Sequence, residues 1–302
     1  MIVRYLQDNT AWIDVLEPTA EEIRELMEEY AIDPGLVTDL AVPTRRADVV
    51  SVPGAVKITL DFPVVKLSQR EFPQEMKFIV TKNALITVRY ADIAALHQFA
   101  KEFEVVATLQ KTRKRLHGGH LFLAVMNALY GALSQKLDYI EARLVDIEEE
   151  IVSGREKEMV LDLSQMSQRL IMFRQTLVGH EYVLEQAKTH FGALFGASFA
   201  ASLDTFDRAF AHLTQYLSTL AATGIELRET NNTLLTTKQN EIMKTLTILA
   251  SVTFPLALLS SIFGMNTTLP LAGTRGDFWI VIGIMVVAAT VLFAFFRHKH
   301  WM

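Results

Sequence analysis

The residues of this chain best placed to do chemistry share one face of one helix. Stepping back from Ser261 in alternating fours and threes, the spacing that keeps residues on one side of a supercoiled helix, meets Ala257, Phe254, Ala250, Thr247, Met243, Asn240, Thr236, Thr233 and Glu229. Apart from Phe254 and Met243, this seam is small or polar. Its neighbours Leu235, Ile242, Leu246, Leu249, Val252, Leu256 and Leu259 are the apolar flanks. A coiled-coil core has the reverse arrangement. Amide and hydroxyl oxygens accept hydrogen bonds from water without titrating near neutral pH. On a helix with apolar flanks they suit the lining of a water-filled path between several copies. Close packing of two membrane helices also favours small residues, and spacing alone leaves both readings open.

The elements that must position this face are two uncharged runs. Leu246 to Phe263 is eighteen residues without a charge, about 27 Å of helix and close to the thickness of a bilayer's hydrocarbon. Phe278 to Phe296 is a second such run, fourteen residues later. A buried core helix imitates one run of this kind; two near the C-terminal end of a charged chain predict a membrane hairpin.

Gly264-Met265-Asn266 ends the first run, behind Gln239-Asn240, Met243-Lys244, Leu246-Thr247 and Pro255. In that setting the tripeptide resembles the CorA family of divalent-metal channels, which is marked by Gly-Met-Asn closing the first of two C-terminal transmembrane helices. The likeness spans the chain. Trp12-Ile13-Asp14-Val15 followed by Pro18-Thr19 is similar to the family's amino-terminal domain, and Trp301 after a basic run to its C-terminus.

The resemblance implies an α+β cytosolic domain (1–112), a cytosolic long helical hairpin and stalk helix (113–245), and two transmembrane helices with a cytosolic tail (246–302), assembled as a funnel-shaped homopentamer. The implied activity is passive Mg²⁺ uptake, with Mg²⁺ also sensed by cytosolic carboxylates at subunit interfaces; Asp204 and Asp207, three apart on the early stalk, lie in the corresponding region but match no motif and read first as surface acids. Mg²⁺ gives up water reluctantly. Gly264, Met265 and Asn266 would therefore form a filter in which a ring of Asn266 amides, with Gly264 carbonyls, binds the metal through its hydration water. Asn240, Met243, Leu246, Thr247, Ala250, Phe254, Ala257 and Ser261 would line the pore, with Met243 and Leu246 as a constriction that shuts by dewetting. No organic cofactor is implied. The sequence departs from the family pattern at Phe254, where a smaller or more flexible side chain is usual. It departs again at Thr267-Thr268-Leu269-Pro270, which replace an aromatic residue and nearby acids, and in the half-histidine cluster Arg297-His298-Lys299-His300.

Residues 1 to about 112 read as mixed α/β. Strand signals fall at Ile2–Tyr5, Trp12–Val15, Ala55–Phe62, Met76–Thr81 and Ala84–Tyr90, with a turn at Lys82-Asn83. Thr19–Tyr30 reads as a helix with Thr19 and Glu22 as a capping box, Pro34 opens a short second helix, and Ala91–Glu104 reads as a third. Asp14 and Glu17 read as solvated surface, and Pro43-Thr44-Arg45-Arg46 as a basic turn pairing locally. No proline occurs between Pro73 and Pro255, which permits very long helices. Met126, Leu129, Leu133, Leu137, Ile140, Leu144, Ile147 and Ile151 recur at threes and fours; the phase breaks at Ser153-Gly154 and resumes through Met159, Leu163, Met166, Leu170, Phe173 and Leu177. This predicts an antiparallel pair of helices of about 30 residues each. Its acidic tip (Asp146, Glu148, Glu149, Glu150) reads first as a solvated face and second as a cation-gathering one. The chain turns near Gly192 and Gly196 into a last long helix from Ser202 to Phe263.

The 302 residues carry a formal net charge of −5 and no cysteine, which excludes disulfides and Cys-based zinc sites. The start shows no signal-peptide pattern. Lys238 and Lys244 precede the first run and Arg297, His298, Lys299 and His300 follow the second, while the loop between carries only Arg275 and Asp277. Both ends are therefore expected on the cytosolic side of the cell membrane. Expected partners are copies of the chain, membrane lipid and divalent cations; no basic face interleaved with aromatics invites nucleic acid. A Zn²⁺, Co²⁺ or Ni²⁺ transporter of the ZntB branch is the rival within transport, but the seam has no His or Cys. His117, His120, His180, His190 and His212 are scattered and read as surface residues. A non-conducting membrane-tethered scaffold is the rival outside transport. An enzyme is least supported, with no nucleophile–base set and no phosphate loop.

Overall fold

A computed structural model describes residues 1–7, 10–44, 46–63, 73–109, 116–265 and 277–299. They divide into two compact units, Met1–Arg228 and Glu229–Met302.

The first unit is built on one sheet. Strands β1 (Ile2–Gln7), β2 (Thr10–Leu16), β3 (Asp48–Val52), β4 (Ala55–Phe62), β5 (Gln74–Thr81) and β6 (Ala84–Arg89) lie in the order β1-β2-β6-β5-β4-β3. Every neighbouring pair is antiparallel except β2 with β6, which is parallel. Lys82-Asn83 turns the β5–β6 hairpin as expected. The sequence reading omitted β3, a short edge strand whose paired segment is the β-branched run of β4.

Successive strand residues point to opposite faces, and both faces are covered. Ile13, Val15, Ile79, Ile86 and Val88 pack with Leu26 of α1 (Ala20–Glu29) and Leu36 of α2 (Pro34–Val37). Thr19 caps α1 through the predicted box: Glu22 N–H donates to Thr19 Oγ1 at 3.2 Å, and Thr19 N–H donates to the Glu22 carboxylate at 2.9 Å. On the opposite face Trp12 meets Phe99 and Phe103 of α3 (Ala94–Leu109), and Phe78 meets Phe122 of α4 (Gly118–Val152). Gly118 is required where α4 seats on the hairpin, since a Cβ there would lie 2.2 Å from the Thr81 carbonyl oxygen.

The α4 helix and α5 (Glu156–Phe195) are the predicted antiparallel pair, at 35 and 40 residues longer than expected. All fourteen apolar residues of the two repeats are buried, and each contributes about 1.5–3 kcal/mol on leaving water. Gly154, at φ +96°, makes the turn between them, and Gly196, at φ +87°, the corner into α6 (Ala197–Phe263). That helix starts five residues before the expected Ser202. The third helix likewise runs from Ala94 to Leu109 instead of Ala91 to Glu104.

Two surface expectations are corrected here. Asp14 is 7% exposed: its carboxylate accepts from Arg89 Nε at 3.0 Å and from Thr87 Oγ1 at 2.8 Å. A charge on an inward strand position survives burial because its counter-charge lies on a neighbouring strand, 75 residues away. Glu17, by contrast, is exposed as expected. His180 is wholly buried, with Nε2 2.6 Å from the Asp61 carbonyl oxygen and Nδ1 2.7 Å from the Tyr130 hydroxyl. A carbonyl only accepts, so Nε2 carries the proton and Nδ1 accepts from Tyr130. Burial pushes the His180 pKa down to about 4, against a smaller upward pull from the Asp61 carbonyl. The basic turn is tied down at Thr44, whose N–H and hydroxyl donate to Glu75; Arg45 lies outside the described residues.

Candidate functional site: a polar helix face in the apolar hairpin

The second unit holds the last part of α6 and α7 (Asp277–His298). Both helices are long and apolar enough to cross a membrane, and none of their most apolar stretch is buried. The half-buried residues of α6 in this region include the stripe Ile248, Val252, Leu256, Leu259 and Phe263. At 100° per residue that stripe lies opposite the seam read from the sequence. On the seam, Asn240, Met243, Thr247, Phe254, Ala257 and Ser261 are exposed, as is Leu246 beside it; Ala250 is half-buried. Phe254 is the most open of the large ones, at 73%.

The seam hydroxyls have a defined polarity. Thr247 Oγ1 donates to the Met243 carbonyl at 2.7 Å, Thr236 to Asn232 at 2.8 Å and Thr233 to Glu229 at 2.9 Å. With the hydroxyl hydrogen committed to the helix, what each presents outward is an oxygen lone pair. Pro255 sits inside the helix, where it removes one backbone donor.

The helix ends at Phe263. Gly264 N–H still donates to the Ser260 carbonyl at 2.9 Å, and a Cβ on Gly264 would stand 3.1 Å from that same oxygen. This close approach is a physical reason for glycine at the first place of the tripeptide. Met265 follows, exposed, its N–H on the Ile262 carbonyl at 3.3 Å. Asn266, Thr267–Pro270, Arg275, His300 and Trp301 lie outside the described residues. Arg297 and His298 close α7, exposed and followed by exposed Lys299.

Asp204 and Asp207 are brought together at the start of α6, but around a cation: Lys188 of α5 pairs with Asp207 and lies 3.9 Å from Asp204. Sequence reasoning missed Lys188, because nothing in its own helix's pattern points across the Gly196 corner. At the acidic tip, Asp146 pairs with Arg143 at 3.5 Å, and Arg143 also reaches Asp162 across the helix pair. Among the described residues no group of three or more His, Asp or Glu is arranged to hold a metal ion.

A sheet-and-helix domain followed by two helices long and apolar enough to cross a membrane, one of them with an exposed polar face, is the organisation of a membrane-protein chain. Comparison with known proteins gives the family. The model of the family described as CorA-like Mg²⁺ transporter protein matches residues 7–298, and the chain belongs to that family. It is 23% identical to the cobalt/magnesium transport protein CorA of Methanocaldococcus jannaschii, over 96% of this chain and 90% of that one. The complete structure of the CorA magnesium transporter from the same organism superposes with a TM-score of 0.83 at 20% identity, covering 99% of this chain and 94% of that one. The cytoplasmic domain of ZntB from Vibrio parahaemolyticus RIMD 2210633 gives a TM-score of 0.59 at 13% identity, covering 74% and 87%; at that identity the likeness concerns the fold.

Proposed function

We propose that this chain is a divalent-cation channel for passive Mg²⁺ uptake, built as a funnel-shaped homopentamer. In this reading 1–112 and 113–245 are cytosolic, 246–302 forms the pore hairpin, and both termini face the cytosol at the cell membrane. The observation that carries it is the Gly-Met-Asn tripeptide that follows the last residue of the polar-faced helix in the sequence, in a chain that family membership covers almost throughout. One Asn amide is a feeble ligand, so several copies must converge on an axis. A ring of Asn266 oxygens would then accept hydrogen bonds from the water shell that Mg²⁺ keeps. Below it, Ser261, Ala257, Phe254, Ala250, Thr247 and Asn240 would line the passage, with Phe254 narrowing it. Met243 and Leu246 would make the constriction at which it closes, under control of cytosolic Mg²⁺. The acceptor polarity of Thr247 supports a hydrated cation as cargo, since its waters point hydrogens outward.

The test is metal flux through the purified full chain in liposomes. Mg²⁺, Co²⁺ and Zn²⁺ are offered separately, with and without a proton gradient, and the oligomeric state is measured alongside. Mg²⁺ flux that ignores the proton gradient is the expected result. Zn²⁺ flux driven by protons, or a chain that stays monomeric in lipid, would overturn the reading.

A further inference from the structure

Two aspartates three residues apart on one helix face repel each other unless a cation stands between them. Asp204 and Asp207 occupy such positions in the opening turns of α6, and the cation is supplied by the chain itself. The Gly196 corner folds α5 back beside α6, which brings the Lys188 ammonium into an ion pair with Asp207 and within 3.9 Å of Asp204. Underneath, Leu184 and Phe191 of α5 and Phe199, Leu203, Phe206 and Phe210 of α6 are all buried. Lys188 and Asp207 line a groove of about 510 Å³ between the two helices, together with Arg174, Glu181 and Glu185. The Asp207 carboxylate is the main influence raising the Lys188 pKa, so the ammonium stays charged throughout the physiological range.

We infer that the Lys188 ammonium holds the place a divalent cation would take between Asp204 and Asp207, so that this carboxylate pair is a cation-independent ionic latch between α5 and α6 and is closed to free Mg²⁺. A tethered partner acts at a high effective concentration, against which a free ion must compete. Mg²⁺ competes poorly while the ammonium is in place, because it sheds its water reluctantly and must displace a tethered charge to reach the carboxylates. Both helix segments belong to the first unit, so the latch stands whether or not the transport reading does. Its consequence is that any response of the channel to cytosolic Mg²⁺ originates at other residues.

The experiment is hydrogen–deuterium exchange on the full chain in lipid nanodiscs, following 184–210 with EDTA or Mg²⁺ at matched ionic strength. The expected result is that exchange in the wild type and in Lys188→Arg is the same in both conditions. Lys188→Met should exchange several-fold faster in EDTA and be slowed again by Mg²⁺, a rescue that adding Asp204→Asn and Asp207→Asn abolishes. Mg²⁺-dependent protection of 184–210 in the wild type, lost in the Asp204→Asn, Asp207→Asn double variant, would overturn the latch. So would a Lys188→Met chain that matches the wild type in both conditions, which would show that the lysine is not standing in for a metal.

Discussion

Asp14 and Asn240 are both polar residues on regular elements, yet their settings are opposite. Asp14 faces inward and has its counter-charge at 3.0 Å. Lys77 is wholly buried, donates to the Asp39 and Val42 carbonyls and pairs with Glu75 at 3.3 Å; Lys57 pairs with Asp39 at 2.7 Å. The first unit thus places charge inside and answers it within the same chain. In the second unit the polar face of α6 is turned away from the half-buried apolar stripe, and Asn240, Thr247 and Ser261 are exposed. Polar atoms at bilayer depth need partners that hydrocarbon does not offer. On the proposed reading, the first unit is a scaffold completed from within, and the open polar face of the second is completed by water, cargo or further copies.

The largest effect that would break this contrast is on Asn266. Loss of roughly 1 kcal/mol of hydrogen bonding in each of several copies predicts a fall in Mg²⁺ flux of more than about a hundredfold for Asn266→Ala. Thermal stability should be unchanged. A variant that conducts normally would remove the ring of amides from the account. The complementary change belongs to the scaffold: Asp14→Ala leaves Arg89 buried at 4% exposure, with Asp92 at 3.1 Å as its remaining carboxylate. Removing one partner of a buried pair predicts a loss of about 3 kcal/mol in unfolding of the full chain. Ion preference among the properly folded fraction should not move.

Acid should act on the scaffold in the same sense. His180 is neutral in the folded chain with a pKa of about 4, whereas an unfolded histidine titrates near 6.5. Between those values the unfolded chain binds more protons, so stability falls as pH drops from about 6.5 towards 4, by up to about 3 kcal/mol. Denaturant midpoints across that window should show the slope, and His180→Gln should flatten it. His117, whose pKa burial and nearby His120 also lower to about 4, adds a slope of the same sign that the variant leaves in place. A stability that is level from pH 7 to 5 would mean that the imidazole is not held neutral.

How far the sequence could be read follows the same division. The α4–α5 pair was legible because its core is periodic: Met126 to Leu177 announce one buried face at threes and fours. The seam was legible for the converse reason, since small and polar residues recur where a core would be apolar. Asp14, His180 and Lys188 were not, because what makes each acceptable is a partner brought in by the fold. Arg89 lies 75 residues from Asp14, the Asp61 carbonyl 119 from His180, and Asp207 reaches Lys188 only around the Gly196 corner. Strand β3 escaped because five residues at a sheet edge carry little pattern of their own.

The finest test separates the polar seam from polarity in general. Thr247 and Thr245 are both exposed on α6, and each donates its hydroxyl to a carbonyl four residues back, at 2.7 and 3.0 Å. They differ in direction, since Thr245 lies about 170° away from the centre of the seam at 100° per residue. Valine is nearly isosteric with threonine and removes only the hydroxyl. Thr247→Val should therefore lower Mg²⁺ flux by about fivefold, the worth of roughly 1 kcal/mol in all, where a water shell leans on about one seam hydroxyl at a time instead of a full ring. Thr245→Val should leave flux unchanged, and neither should alter the midpoint of unfolding by much. Equal effects at the two positions would mean that α6 is not oriented by its seam. The contrast between a self-completed scaffold and an open polar face would then have to be drawn along some other line of the helix.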